Sequence, residues 1–259
     1  AIMSRFHAGF SVGSVAGALV GAAMVALHVP VTVHLGVVAL AVAIGVPLHV
    51  RGFLADHDPH APDEPAPTGG VVSALARWRE PHTLLVGLFV LCFAFAEGAG
   101  NDWLSLGVID GYHDPAVVGT LGYALFLGSM TIGRWYGPRV IDRYGRVVVI
   151  RTIAVVGIVG VLLFVFSPVI SLAFVGVVLW GAGASLGFPI GMSAASDDPA
   201  AAAGRVSVVA SIGYCAFLAG PPAVGVLADS SSVLRALISV AALLALASLI
   251  ATSVRRVGT

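Results

Sequence analysis

The chain has 259 residues, of which 58% are hydrophobic and only 10% charged, with a mean hydropathy of +1.01 and a formal net charge of +0. A water-soluble domain carries roughly 25% charged residues, and the apolar runs here are too long and too numerous to be the buried helices of a soluble α/β protein. The balanced charge offers no basic surface for nucleic acid. The composition therefore predicts an all-α polytopic membrane protein whose surroundings are the lipid bilayer.

A spanning helix needs roughly 20 apolar residues. About eight candidates follow in chain order, near 9–28, 33–50, 82–100, 116–135, 148–167, 170–192, 206–228 and 233–253. The chain opens Ala1-Ile2-Met3-Ser4-Arg5 with no cleavable signal, which is the opening expected of a fragment or a trimmed chain. In the first span Gly9, Gly13, Gly17 and Gly21 recur every fourth residue, a smooth face suited to close helix packing. The second span is short and carries Pro47. Residues 52–81 are polar, rich in proline and interrupted by Gly69-Gly70, which predicts a flexible linker. His57, Asp58 and His60 read as solvated linker residues, so neither a metal site nor a cofactor is expected. The fifth and sixth spans are parted by Ser167-Pro168, since proline cannot continue a helix through the membrane. Gly220-Pro221-Pro222 is expected to break the seventh span, as a hinge or an unwound segment beside a cavity. Cys92 and Cys215 fall inside apolar runs and read as buried free thiols.

Every one of the thirteen cations is arginine. With an even number of spans both termini lie on one side. That side receives Arg5, Arg51, Arg77, Arg79, Arg139, Arg143, Arg146, Arg151, Arg205, Arg255 and Arg256. The other side receives Arg235 together with Asp102, Asp110, Asp114 and Asp229, while Arg134 falls at the end of a span. Cytoplasmic loops carry the arginine excess, so both termini are expected in the cytoplasm and the protein in the plasma membrane.

Glu97 is the most conspicuous single residue, an ionisable group placed beyond the middle of its span. A carboxyl at that depth is costly unless it faces protein or water, and it is a candidate for carrying a coupling proton or contacting a solute. Asn101 shares its helical face and Asp102 lies further round. Trp180 and Tyr214 could line a solute cavity, or serve packing. Between the fourth and fifth spans lies Gly133-Arg134-Trp135-Tyr136-Gly137-Pro138-Arg139-Val140-Ile141-Asp142-Arg143-Tyr144-Gly145-Arg146. Asp142 can accept from the surrounding arginines, Gly145 permits a tight turn, and Gly133 and Gly137 allow close helix approach. Arg139, Asp142, Arg143 and Arg146 would then latch two helices in one conformation and release them in another. A plain cytoplasmic turn is the alternative.

That segment resembles the signature loop of the major facilitator superfamily, G-x-x-x-D-R-x-G-R-R, with one extra residue between Gly137 and Asp142-Arg143 and with Val147 at the last basic position. Phe95-Ala96-Glu97-Gly98-Ala99-Gly100-Asn101-Asp102-Trp103 resembles the end of the seventh helix in a sugar-transporter-like branch of that superfamily. The stretches at 180–189 and 214–222 resemble its tenth and eleventh helices. The resemblance covers the chain as helices five to twelve of a twelve-helix carrier. It implies two helices of an N-terminal bundle in 1–51, a half-to-half linker in 52–81, and a C-terminal six-helix bundle in 82–259. The Gly-Pro motif of drug antiporters is absent from the first span, which argues against a proton-antiport drug exporter.

The function expected is secondary transport of a small solute by alternating access, coupled to H+ or another ion or driven by the solute's own gradient. The alternative is a truncated, non-transporting membrane protein or interaction subunit. No Walker loop, zinc-protease His pair or nucleophile elbow is present, and the histidines are scattered, so an enzyme is not expected.

Overall fold

A computed structural model describes residues 2–50 and 76–256, with side chains from position 12 onward. Among them there is no strand. The helices are α1 (Ile2–Ala26), α2 (Val31–Val50), α3 (Pro81–Leu106), α4 (Ala116–Tyr144), α5 (Arg146–Phe166), α6 (Ile170–Ala184), α7 (Gly187–Ala195), α8 (Ala202–Ser230), α9 (Val233–Ala236) and α10 (Ile238–Leu249). A π turn, Gly107–Gly111, prolongs α3, and a 3₁₀ turn, Ala251–Val254, follows α10. Six helical segments are long and apolar enough to cross a membrane, and the shorter apolar stretches Val12–Ala26 and Val233–Leu249 fall where the first and last spans are expected. Most of the linker predicted for 52–81, with His57, Asp58 and His60, lies outside the described residues, as do Arg51 and Gly69-Gly70.

The helix ends follow from local chemistry. Pro30 and Pro81 sit where a helix begins, the place where a missing N–H costs nothing. Phe166 ends α5 ahead of Ser167-Pro168, and Ile170 starts α6. Between α4 and α5 the only non-helical residue is Gly145, at φ 79° and ψ 157°, a region that essentially only glycine occupies.

α3 forms the hub. Its apolar window is 78% buried, packed chiefly against α8 and also against α4, α7 and α10. Phe89, Phe93, Leu104 and Val86 are fully or almost fully buried there. α5 lies along α6 with near backbone contact. A Cβ at Gly160 would come within 2.3 Å of the Trp180 amide nitrogen, and one at Gly183 within 2.3 Å of Gly157 Cα. Small residues at a crossing allow this approach, and dispersion and packing then hold the pair where lipid supplies no hydrophobic drive. α1 packs on α4 through Ala18 and Ala22, whereas no side chain of α2 is buried.

Several expectations change. α4 does not end near 135 but continues to Tyr144, so the segment expected as a loop is helical apart from Gly145. Arg134 consequently sits inside α4, ten residues from its end. α8 runs unbroken through Gly220, Pro221 and Pro222 where a hinge was expected. The prolines remove two amide donors, leaving the Phe217 and Leu218 carbonyls without their helical partners, but the helical dihedrals persist. The stripe of α1 that packs is Ser14, Val15, Ala18 and Ala22; Gly13, Gly17 and Gly21 face open space. Cys92 is buried as expected, but Cys215 is exposed on α8.

Candidate functional site

The helical segment that begins at Pro81 runs to Gly111, so Glu97 stands near its middle and not beyond it. At 1.5 Å per residue it is about 24 Å from Pro81. Arg134 comes from the other direction, about 6 Å past the middle of α4 toward the arginine-rich end. The two side chains meet: Arg134 Nη2 donates to Glu97 Oε2 at 2.7 Å, with 17% and 12% of the side chains exposed. Two opposite charges at that depth neutralise each other, which removes most of the cost of placing either one there.

A second bond fixes the arginine. Pro189, in the first turn of α7, has no N–H with which to bond the Ser185 carbonyl four residues earlier, and the helix breaks at Ser185-Leu186. Arg134 Nε donates to that carbonyl at 3.1 Å. Gly133 and Gly137 make room on the same side of α4, where Cβ atoms would press to 2.4 Å on Ser185 Oγ and to 2.3 Å on Leu186.

Beside the ion pair is a cavity of about 200 Å³, lined by Ser14 of α1, Glu97 and Asn101 of α3, Tyr123, Thr131 and Arg134 of α4, and Phe217 of α8 among others. The Tyr123 hydroxyl reaches Asn101 Oδ1 at 3.5 Å. Of the solute-site candidates, Glu97 and Asn101 are brought together here. Asp102 is exposed and is not among the residues that line the cavity. Tyr214 is 62% exposed, with Phe188 at 6.3 Å ring to ring, one turn from Phe217. Trp180 is not among the residues that line this cavity. It is wholly buried, donates from Nε1 to the Ala96 carbonyl at 3.1 Å, and meets Phe126 edge-on at 5.5 Å. Arg134 and Tyr123 are the contributors that spacing did not single out.

At the arginine-rich end the charges pair differently from the expected pattern. Asp142 is exposed and makes no ion pair among the described residues, and Arg139 and Arg143 lie over the rings of Tyr136 and Tyr144. Arg146, at the start of α5 and 7% exposed, grips Asp197 instead, with Nη1–Oδ2 at 2.5 Å and Nη2–Oδ1 at 2.9 Å. Nη2 also donates to Ser193 Oγ at 2.8 Å. This bidentate fork ties α5 to the end of α7. Close by, Glu80 accepts from Arg205 Nε at 2.8 Å, from Arg77, and from Thr83 Oγ1 at 2.8 Å. Arg205 is the main cause holding the Glu80 carboxyl down at about 2, and Arg77 adds to it.

The chain is a bundle of long apolar helices with a paired acid and base midway along them, beside an opening between helices. The family profile of the Major Facilitator Superfamily matches residues 1–217, and the chain belongs to that superfamily of membrane transporters. It is 31% identical over 251 residues to an uncharacterized transporter of Yersinia pestis, covering 94% of this chain and 61% of that one. An uncharacterized transporter of Sinorhizobium fredii is 29% identical over 236 residues, covering 89% and 59%. The membrane protein MosC of Rhizobium meliloti is 30% identical over 170 residues, covering 65% and 42%. The chain thus spans about three-fifths or less of these relatives' lengths. Its fold is similar to that of the transporter FucP in the outward conformation, with a TM-score of 0.64 at 18% identity over 76% of this chain and 48% of that one.

Proposed function

We propose that this chain forms the solute-binding side of a secondary transporter that moves a small solute by alternating access, with Glu97 as the group that couples solute to H+. The observation that carries the reading is the Glu97–Arg134 ion pair, placed at mid-membrane and open to a cavity between α1 and the α3, α4 and α8 walls. Carriers place their sites at that depth, where two helical bodies meet and rock. In this reading α1 and α2 are the last helices of an N-terminal bundle, residues 52–81 are the cytoplasmic linker, and residues 82–259 are the C-terminal bundle. In the same reading both termini face the cytoplasm of a plasma-membrane protein, an orientation that the arginine distribution supports. Arg139, Asp142, Arg143 and Arg146, with Asp197, form the cytoplasmic latch, and Gly220, Pro221 and Pro222 give α8 a weakened turn where it can bend.

The test is solute uptake or proton flux in reconstituted vesicles. Glu97→Gln should abolish the dependence of transport on pH while solute exchange persists. An unchanged pH profile would remove Glu97 as the coupling group.

A further inference from the structure

We propose that the cavity binds a small monocarboxylate through Arg134, and that Glu97 must take up a proton before the anion can enter, so that each carboxylate loads together with one H+. The inference rests on the transporter reading above and adds the substrate class to it. The geometry behind it begins with the arginine. Its guanidinium is pinned by two bonds, Nε to the Ser185 carbonyl and Nη2 to Glu97 Oε2. Nη1 has no hydrogen-bond partner among the described residues, nor does Glu97 Oε1, and neither atom is sealed in protein. The pinned fork therefore leaves an open edge, formed by Nη1 and the free hydrogen on Nη2. A planar two-oxygen acceptor matches that edge in a way that a single hydroxyl does not.

Charge then sets the condition for loading. The ionisable groups around Glu97 are Arg134 and Tyr123 from α4 and, further round its own helix, Asp102; the described lining residues of α1 and α8, Ser14 and Phe217, carry no charge. With Glu97 ionised, the acid and base sum to zero and a bare anion would bring an uncompensated charge into a site of low dielectric. With Glu97 protonated, the arginine is left unpaired and the solute carboxylate supplies the missing negative charge. Atoms and charge balance in this exchange: the proton moves from water to Glu97, the Arg134–Glu97 bond opens, and an Arg134–carboxylate pair forms. No net charge enters. The volume of about 200 Å³ lies below the roughly 300–1,000 Å³ of pockets for drug-sized ligands, which fits a small acid. Phe217 and Leu127 offer an apolar wall for its carbon skeleton, and Asn101 and Tyr123 offer polar partners for a hydroxyl or keto group.

The experiment is binding to the purified full chain in detergent, measured by calorimetry at pH 5.5 and pH 8. The probes are acetate, lactate, pyruvate and benzoate on one side and glucose, fucose and glycerol on the other. At least one monocarboxylate should bind wild-type protein tenfold or more tightly at pH 5.5 than at pH 8. Glu97→Gln should bind it with equal affinity at both values. Arg134→Gln should lose it more than tenfold. Because that variant leaves Glu97 unpaired and can misfold, the double variant Glu97→Gln/Arg134→Gln, which is neutral at both positions, serves as the folded non-binder. The proposal is overturned if none of the four acids binds wild type or Glu97→Gln, if the double variant binds them as wild type does, or if only the polyols bind. Translocation of a solute without carboxylate binding would sink this inference and leave the transporter standing. Carboxylate binding without translocation in vesicles would do the reverse.

Discussion

Arg146 and Asp142 stand four residues apart and face opposite fates. Arg146 is buried to 7% exposure and satisfied by both oxygens of Asp197, whereas Asp142 lies in solvent. Asp197→Asn should therefore lower stability by about 2–3 kcal/mol, short of the 3–5 kcal/mol for a fully buried pair because Asp197 is itself 24% exposed. Asp142→Asn should stay within about 0.5 kcal/mol of wild type. Thermal denaturation in detergent separates the two, and equal losses would contradict the assignment of the clamp. At this scale the sequence was half legible. Glu97 declared itself, since a lone carboxylate in an apolar run demands an explanation. Its partner did not, because Arg134 is 37 residues away and looked like the end of a span. Pro189 was the available clue: it frees the Ser185 carbonyl, and a freed carbonyl inside a bundle must find a donor.

Among the elements, the α5–α6 crossing has its limits set by backbone. A methyl at Gly160 would strike the Trp180 nitrogen at 2.3 Å and the Gly176 oxygen at 2.6 Å, atoms that cannot rotate away. Gly160→Ala should cost at least the 1–3 kcal/mol typical of overpacking and lower the melting temperature. Gly128→Ala is the matched control, since a Cβ there meets nothing within 4 Å, and it should be neutral or stabilising by up to about 1 kcal/mol. If both variants melt alike, the close crossing is not what holds these helices. The misplaced end of α4 has a related explanation. Hydropathy falls after Ile132 because Arg134, Tyr136 and Arg139 leave the hydrocarbon or turn inward, yet the backbone continues helical to Tyr144. Apolar runs report where lipid contact ends, and helices can outlast them.

For the molecule as a whole, the all-helical, many-span character and the order of the helices were readable from length and composition, although six of the expected eight segments are long and apolar enough to cross a membrane among the described residues and two are shorter. What packs on what was not, because membrane helices have similar apolar surfaces all round and the choice of partner rests on small residues and a few polar bonds. The Glu80–Arg205 clasp is one such bond, joining the start of α3 to the start of α8. The folded carboxyl ionises at about 2, below its ordinary 4.5, so its stabilisation is complete above pH 4.5 and is lost as pH falls toward 2. The melting temperature of wild type should exceed that of Glu80→Gln by a constant margin above pH 4.5, and the margin should close between pH 4.5 and 2. A margin that does not change over that range would show that Glu80 is not held by its arginines.

Gly145 has a consequence at this scale too. Arg134 of α4 holds one end of α7 through Ser185, and Arg146 of α5 holds the other end through Asp197 and Ser193. α4 and α5 are themselves joined by that single glycine. The three helices thus form a closed linkage with one backbone joint and two guanidinium pins, one pin shared with the cavity acid and the other at the membrane surface. Such a frame cannot change shape at one corner alone: any movement at the Ser185 pin must be taken up at the Asp197 pin or at Gly145, the one backbone joint between α4 and α5.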